Sequence, residues 1–161
     1  MRESDLVDRL GRFKQDAKYG REGFALECVV ANLFRAKGYW ILVGYKASDG
    51  DGRYGGSQSA DMGIDLLLEK GGQKTVVQCK HYGGTHVRGP EVCQLLGSCL
   101  VAGATRGIFV TTSGFTKQCE EIRRLALDRG HELFLWDWKS LRRELQENLL
   151  NGTGCNVLDD S

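Results

Sequence analysis

Asp65, Gln78 and Lys80 are the residues of this chain whose types and spacing could do chemistry. Between Asp65 and Gln78 lie two apolar runs flanking Gly71-Gly72, the pattern of a β-hairpin with a two-residue turn. With that turn, Lys70 pairs with Gln73 and Asp65 falls opposite Gln78. Opposed residues project to one side and side chains alternate along a strand, so Asp65, Gln78 and Lys80 share a face. An even-length loop keeps this parity, whereas an odd loop or a bulge destroys it. A carboxylate, an amide and an ammonium converging on an otherwise apolar hairpin have no packing purpose.

Hard divalent cations take oxygen ligands, and Mg²⁺ keeps several waters beside one or two carboxylates. Asp65 offers one carboxylate, the Gln78 amide oxygen is a weaker neutral donor, and the backbone carbonyl of Cys79 lies along the strand edge. Lys80 reaches the same face, where it can stabilise a developing phosphate charge or orient an attacking water. The combination suits metal-assisted phosphodiester hydrolysis. The Cys79 side chain points to the opposite face and is expected to be buried and inert. Only Asp65 is a certain anion in this set. Glu27 would add a second carboxylate, directly or through water, if its helix packs on the hairpin. Its helical neighbours Phe24, Val30 and Ala31 put it on or beside an apolar stripe. The competing account is a boundary glutamate whose stem packs while its head reaches water.

The elements that must position these residues follow from hydrophobic period and punctuation. A first helix is expected over 4–17 and a second over 21–37, closed by Gly38. A strand over 39–45 leads into a Gly-, Ser- and Asp-rich loop over 47–60. After the hairpin, Pro90 fits the first turn of a helix to about Ala102. A strand over 106–112, a helix from Ser113 or Thr116 to Asp128, a strand over 132–136 and a helix over 140–150 complete the chain. A hairpin joined to later strands through helices implies an α/β fold, a mixed β-sheet flanked by helices on both faces. The expected organisation is an N-terminal helix in 1–19, one domain over 20–150, and a tail or linker over 151–161.

Composition narrows the class. At 161 residues and a net charge of +1, bulk charge announces no polyanion, so nucleic-acid contact would need a local basic patch. The basic clusters at Arg123-Arg124 and at Lys139 with Arg142-Arg143 read as solvated helix faces. The six cysteines include no C-x-x-C pair and no zinc-finger spacing. Five of them lie in apolar segments, and all six read as reduced thiols. With no signal peptide and no apolar stretch of membrane-spanning length, the expectation is a cytoplasmic protein with no membrane partner.

Four blocks, in order, resemble a known family: Phe24 to Glu27; Gly63-Ile64-Asp65-Leu66; Val77 to Tyr82; and Gly107 to Thr116. Together they cover roughly residues 20 to 137. The chain resembles the catalytic domain of Mrr-like restriction endonucleases, within the PD-(D/E)xK nuclease superfamily. The resemblance implies a restriction-endonuclease-like core and Mg²⁺-dependent DNA cleavage, with Mn²⁺ able to substitute. It implies Asp65 and Gln78 as metal carriers, Lys80 for the water and the phosphate, and Glu27 as the supporting carboxylate. Ile64 replaces the superfamily's proline, and Gln78 replaces its acidic residue, as is usual in Mrr-like members.

Further residues are candidates for phosphate or DNA contact. Ser113 and Thr116 lie where a strand runs into a helix, and backbone N–H groups there could hold a phosphate, although ordinary capping explains them equally. Lys117 opposes the dipole of its helix, which a phosphate contact would account for. His81 and Tyr82 could line a DNA cleft, and Arg88 sits in a loop beside the site. Two other readings stand beside the nuclease: a non-catalytic nucleic-acid-binding or assembly module, and a structure-specific, Holliday-junction-like or RNA-directed nuclease. One site per chain suggests a homodimer or higher assembly for cutting both strands. Targeting would come from sensor or specificity domains, in a restriction or anti-phage defence system by family analogy.

Overall fold

The computed structural model describes residues 22–44 and 64–150. The expected helix over 4–17, the loop over 47–60 and the tail over 151–161 lie outside the described residues. The elements run α1 (Glu22–Ala36), β1 (Trp40–Val43), β2 (Leu66–Lys70), β3 (Gln73–Lys80), α2 (Gly89–Ala102), β4 (Arg106–Thr111), α3 (Lys117–Asp128), β5 (Glu132–Trp136) and α4 (Trp138–Leu150).

The hairpin forms in the register its turn dictates. Gly71 and Gly72 both have positive φ, 59° and 79°, the backbone that a tight I′ turn needs. Lys70 pairs with Gln73 and Leu66 with Val77. The five strands lie in chain order in one sheet. β1, β2 and β3 run antiparallel, then β4 and β5 lie parallel to β3 through helical crossovers. The sheet is therefore mixed, as the element order implied.

Strand alternation divides the core into two layers. Leu66, Leu68, Val77, Cys79, Ile108 and Val110 pack with Leu26, Val30, Leu33 and Phe34 of α1 and with Leu141 and Leu145 of α4. Leu67, Val76 and Phe109 face the other way, toward Val92, Leu95 and Cys99 of α2 and Cys119 and Ala126 of α3. Helices thus cover both faces. Gln78 pairs with Phe109 and Lys80 with Thr111, so both belong to the α2–α3 side of β3.

Local chemistry moves a few boundaries. The last helix begins at Trp138, two residues before the expected start, because Asp137 accepts the Ser140 N–H at 2.8 Å and caps it. Thr116 stands at the N-cap of α3, yet its hydroxyl makes no capping bond and lies 3.4 Å from Cys119 Sγ. Trp136 stacks on Phe34 with ring centroids 5.5 Å apart. Among the described cysteines, Cys28, Cys79, Cys99 and Cys119 are buried, Cys93 is exposed on α2, and none forms a disulfide. No helix among the described residues is long and apolar enough to cross a membrane.

Candidate active site

Asp65 is not a strand residue. It lies in the bend just before β2, with its N–H donating to the Val77 carbonyl at 3.2 Å. Its carboxylate turns across the strand end, and Oδ2 accepts the Cys79 N–H at 2.7 Å. A strand residue's N–H and C=O point to the same edge. The Cys79 carbonyl therefore also faces the edge that Asp65 occupies. Strand parity places Asp65 opposite Gln78; the tertiary structure adds this backbone anchor, which fixes the carboxylate's orientation.

Gly44 makes this placement possible, and sequence reasoning missed it. Its φ is +115°, and a Cβ there would sit 2.2 Å from the Asp65 carbonyl oxygen. Only glycine lets the end of β1 approach the Asp65 peptide so closely. Gly44→Ala is expected to lower the melting temperature and weaken any activity that needs Asp65, because both strain and contact act on that peptide. A variant with wild-type stability and activity would contradict this role. The available signal was a glycine directly after the apolar run Ile41-Leu42-Val43.

Glu27 joins the site from the other face of the sheet. It is half-buried on α1, and its carboxyl shares a hydrogen bond with Asp65. Burial, then the Asp65 charge, then that hydrogen bond push the Glu27 carboxyl up to about 8. Burial also raises Asp65, opposed by the Cys79 N–H, the Glu27 hydrogen bond and the nearby Lys80 charge. Hydrogen bonds and the Lys80 charge thus make Asp65 the favoured anion of the pair, and Glu27 holds the shared proton. Two carboxyls that share a proton near neutrality form a site short of positive charge.

This arrangement has a consequence for stability. The folded chain holds the Glu27 proton where an exposed glutamate would release it near 4.5. Stability from this group is present below that value and is lost as pH rises toward about 8. Without divalent cation, the melting temperature is expected to fall between those limits, and Glu27→Gln to flatten the decline. An equally steep decline in Glu27→Gln would show that another group causes it.

Gln78 is half-buried on β3 between the two anchored residues. Lys80, at the C-terminal end of β3, is half-buried and close enough to Asp65 to hold its carboxyl down. The Cys79 thiol is buried on the α1–α4 side, and burial raises it well above the ordinary thiol range. It is inert, as expected. Among the described residues no three His, Cys, Asp or Glu side chains converge as a metal cluster. Two carboxylates, a neutral amide oxygen and a backbone carbonyl are nonetheless all hard donors, and the shared proton marks where a cation's charge would be accommodated. The donor set fits Mg²⁺ or Mn²⁺.

The remaining candidates gather at the C-terminal ends of β3 and β4. His81 Nδ1 lies 3.2 Å from Thr112 Oγ1, which also accepts the Tyr82 N–H at 3.2 Å. The Tyr82 hydroxyl donates to Glu91, which with burial raises the phenol to about 12. Glu91 was not singled out from sequence. Its other oxygen accepts the Arg88 N–H at 2.9 Å, fixing the start of α2. The loops after β3 and β4 are stitched together: Val87 donates to the Gly114 carbonyl at 2.9 Å and accepts from Thr116 at 3.0 Å. Ser113 is half-buried, and its N–H donates to Thr111 Oγ1 at 3.2 Å. Arg88 and Lys117 are exposed at the starts of α2 and α3. The structure brings all of these to one end of the sheet, the end that carries Lys80.

Comparison with known proteins bears on the family and the fold. A family model described as restriction endonuclease, the Mrr catalytic domain, matches residues 20–145. No curated protein matches the chain. Among solved structures, the crystal structure of a protein of unknown function, AF1548, superposes with a TM-score of 0.51 at 16% identity. That match covers 73% of this chain and 64% of the other, and at such identity it speaks for the fold alone. With its mixed sheet, flanking helices and a family match that spans most of its length, the chain belongs to the Mrr catalytic-domain family of restriction endonucleases and has their fold.

Proposed function

We propose that this protein is a Mg²⁺-dependent DNA endonuclease whose active site is built from Asp65, Glu27, Gln78 and Lys80. The observation that carries the reading is the meeting of Glu27 and Asp65 at the open end of the hairpin, beside Lys80. Asp65, Glu27, the Gln78 amide oxygen and the Cys79 carbonyl would hold the cation. A bound Mg²⁺ supplies charge neutralisation at the phosphate and a more acidic water.

The chain's own residues do the rest. The Cys79 N–H holds Asp65 in one orientation, so a ligand arm need not be ordered on binding. Lys80 presents an ammonium to the non-bridging phosphate oxygens, where charge builds up as the phosphodiester is attacked. It also orients the attacking water. Glu27 would have to give up its proton to hold a cation, so activity is expected to rise with pH as that proton becomes easier to remove. Arg88, Lys117 and the N–H groups near Ser113 and Thr116 steady the neighbouring phosphates, with His81 and Tyr82 along the cleft wall.

The direct test is cleavage of supercoiled plasmid by the purified chain. Nicking or linearisation with Mg²⁺ or Mn²⁺, stopped by a chelator, supports the reading; cleavage that ignores the chelator refutes it. Comparing duplex, four-way junction and RNA substrates would separate a general endonuclease from a structure-specific or RNA-directed one.

A second reading, a nucleic-acid-binding module without catalysis, draws on one observation: among the described residues the site brings together only two acids. Calorimetric titration with Mn²⁺ separates the two, since the nuclease requires binding that Asp65→Ala abolishes. Residues 20–150 would form the nuclease unit. Double-strand cutting would take two copies, and targeting or sensor domains would direct them against foreign DNA in the cytoplasm.

A further inference from the structure

Three helices start where β3, β4 and β5 end, and each opens on an exposed cation. Arg88 immediately precedes α2, Lys117 is the first residue of α3, and Lys139 is the second of α4. A cation there opposes the positive end of the helix dipole and is unfavourable without a compensating partner. Lys139 and Arg143 also stand one turn apart on the exposed side of α4, a like-charge spacing that weakens a helix.

Among the other described cations, three pair with acids. Lys37 pairs with Glu144 at 2.6 Å, Arg106 with Glu132 at 3.2 Å, and Arg123 with Glu120 at 2.5 Å. Among the described residues Arg88, Lys117, Lys139 and Arg143 form no ion pair. Three acids near these helix starts are engaged elsewhere: Glu91 by Tyr82 and the Arg88 N–H, Glu120 by Arg123, and Asp137 by the Ser140 N–H.

Sheet register aligns these helix starts with the site. Lys80 pairs with Thr111, and Val110 with Trp136, so Lys80, Thr111 and Asp137 form a row across the sheet end. The Trp138 N–H donates to the Ser113 carbonyl at 3.2 Å, tying the start of α4 to the loop that leads to Lys117. At about 4.8 Å per strand, β3 and β5 lie about 10 Å apart. A strand that carries one phosphate per ~3.4 Å of helix axis places more than one phosphate along a row of that length.

We propose that this row is the path of a DNA backbone, running from Lys80 across the starts of α3 and α4, with Lys139 and Arg143 as phosphate contacts. The inference rests on the nuclease reading and extends its footprint to a helix that carries none of the catalytic residues. It also replaces the sequence-based reading of Lys139 and Arg143 as a merely solvated face.

The test is anisotropy binding of the full chain to a mixed-sequence duplex a few helical turns long, with Ca²⁺ to hold back cleavage. Affinity is followed between about 50 and 200 mM salt. Lys139→Ala and Arg143→Ala should each weaken binding and reduce the salt slope by about 0.9. Arg129→Ala makes the same charge change at the opposite end of α3 and should leave the slope unchanged. Wild-type slopes in Lys139→Ala and Arg143→Ala overturn the path, as do equal losses in all three variants. If plasmid cleavage is intact in either of those cases, the path fails alone. If the wild type neither binds nor cleaves DNA, the nuclease reading falls with it.

Discussion

Lys80→Ala is expected to reduce plasmid cleavage by about a hundredfold to a thousandfold while the protein remains folded. The size follows from losing one preorganised charge aimed at the oxygens that become more negative in the transition state. Lys80 is half-buried at a strand end, so truncation removes a solvated head and opens no core cavity. The Asp65 carboxyl loses a neighbour that held it down and should shift upward. Mn²⁺ binding by calorimetry should persist, because the oxygen donors remain. Loss of cleavage with retained cation binding would assign Lys80 to the chemical step. Cleavage at the wild-type rate would remove it from the site.

Asp65→Asn is expected to abolish cation-dependent cleavage without destabilising the fold. The amide oxygen can still accept the Cys79 N–H, so the strand end keeps its anchor. The negative charge is gone, and with it the repulsion that pushes Glu27 upward. The melting temperature at pH 8 should therefore match or exceed that of the wild type, while cleavage falls at least about a hundredfold. Asp65→Ala provides the contrast: it leaves the Cys79 N–H without its acceptor, at a cost of about 1–3 kcal/mol. A chain in which Asn and Ala were equally destabilising would show that the carboxylate's role in the metal-free fold is not the backbone anchor.

Much of the fold was legible because its rules are local. The Gly71-Gly72 turn set the register of β2 and β3, and a period of two assigned Val77 and Cys79 to one layer and Gln78 and Lys80 to the other. Glycine punctuation set several element ends, as with Gly38 and Gly130, both at positive φ. What was misjudged lay at two helix starts, where the cap depends on which nearby partner a side chain takes. Asp137 moved the start of α4 by capping it, and Thr116 turned its hydroxyl to Cys119 instead of the helix.

By itself the sequence determined the order of helices and strands along the chain, the parity of Asp65, Gln78 and Lys80, and the chemistry those side chains allow. Only the tertiary structure decided that Glu27 meets Asp65. The two are far apart in sequence and belong to opposite sides of the sheet, and α1 reaches the hairpin only by packing its apolar stripe onto β3. It also decided that the Asp65 carboxylate rests on the Cys79 N–H and that Gly44 leaves room for it. Strand alternation and turn geometry are set by neighbours along the chain. The charge state of a buried carboxyl pair is set by what packing brings within hydrogen-bond distance, and no local pattern encodes that.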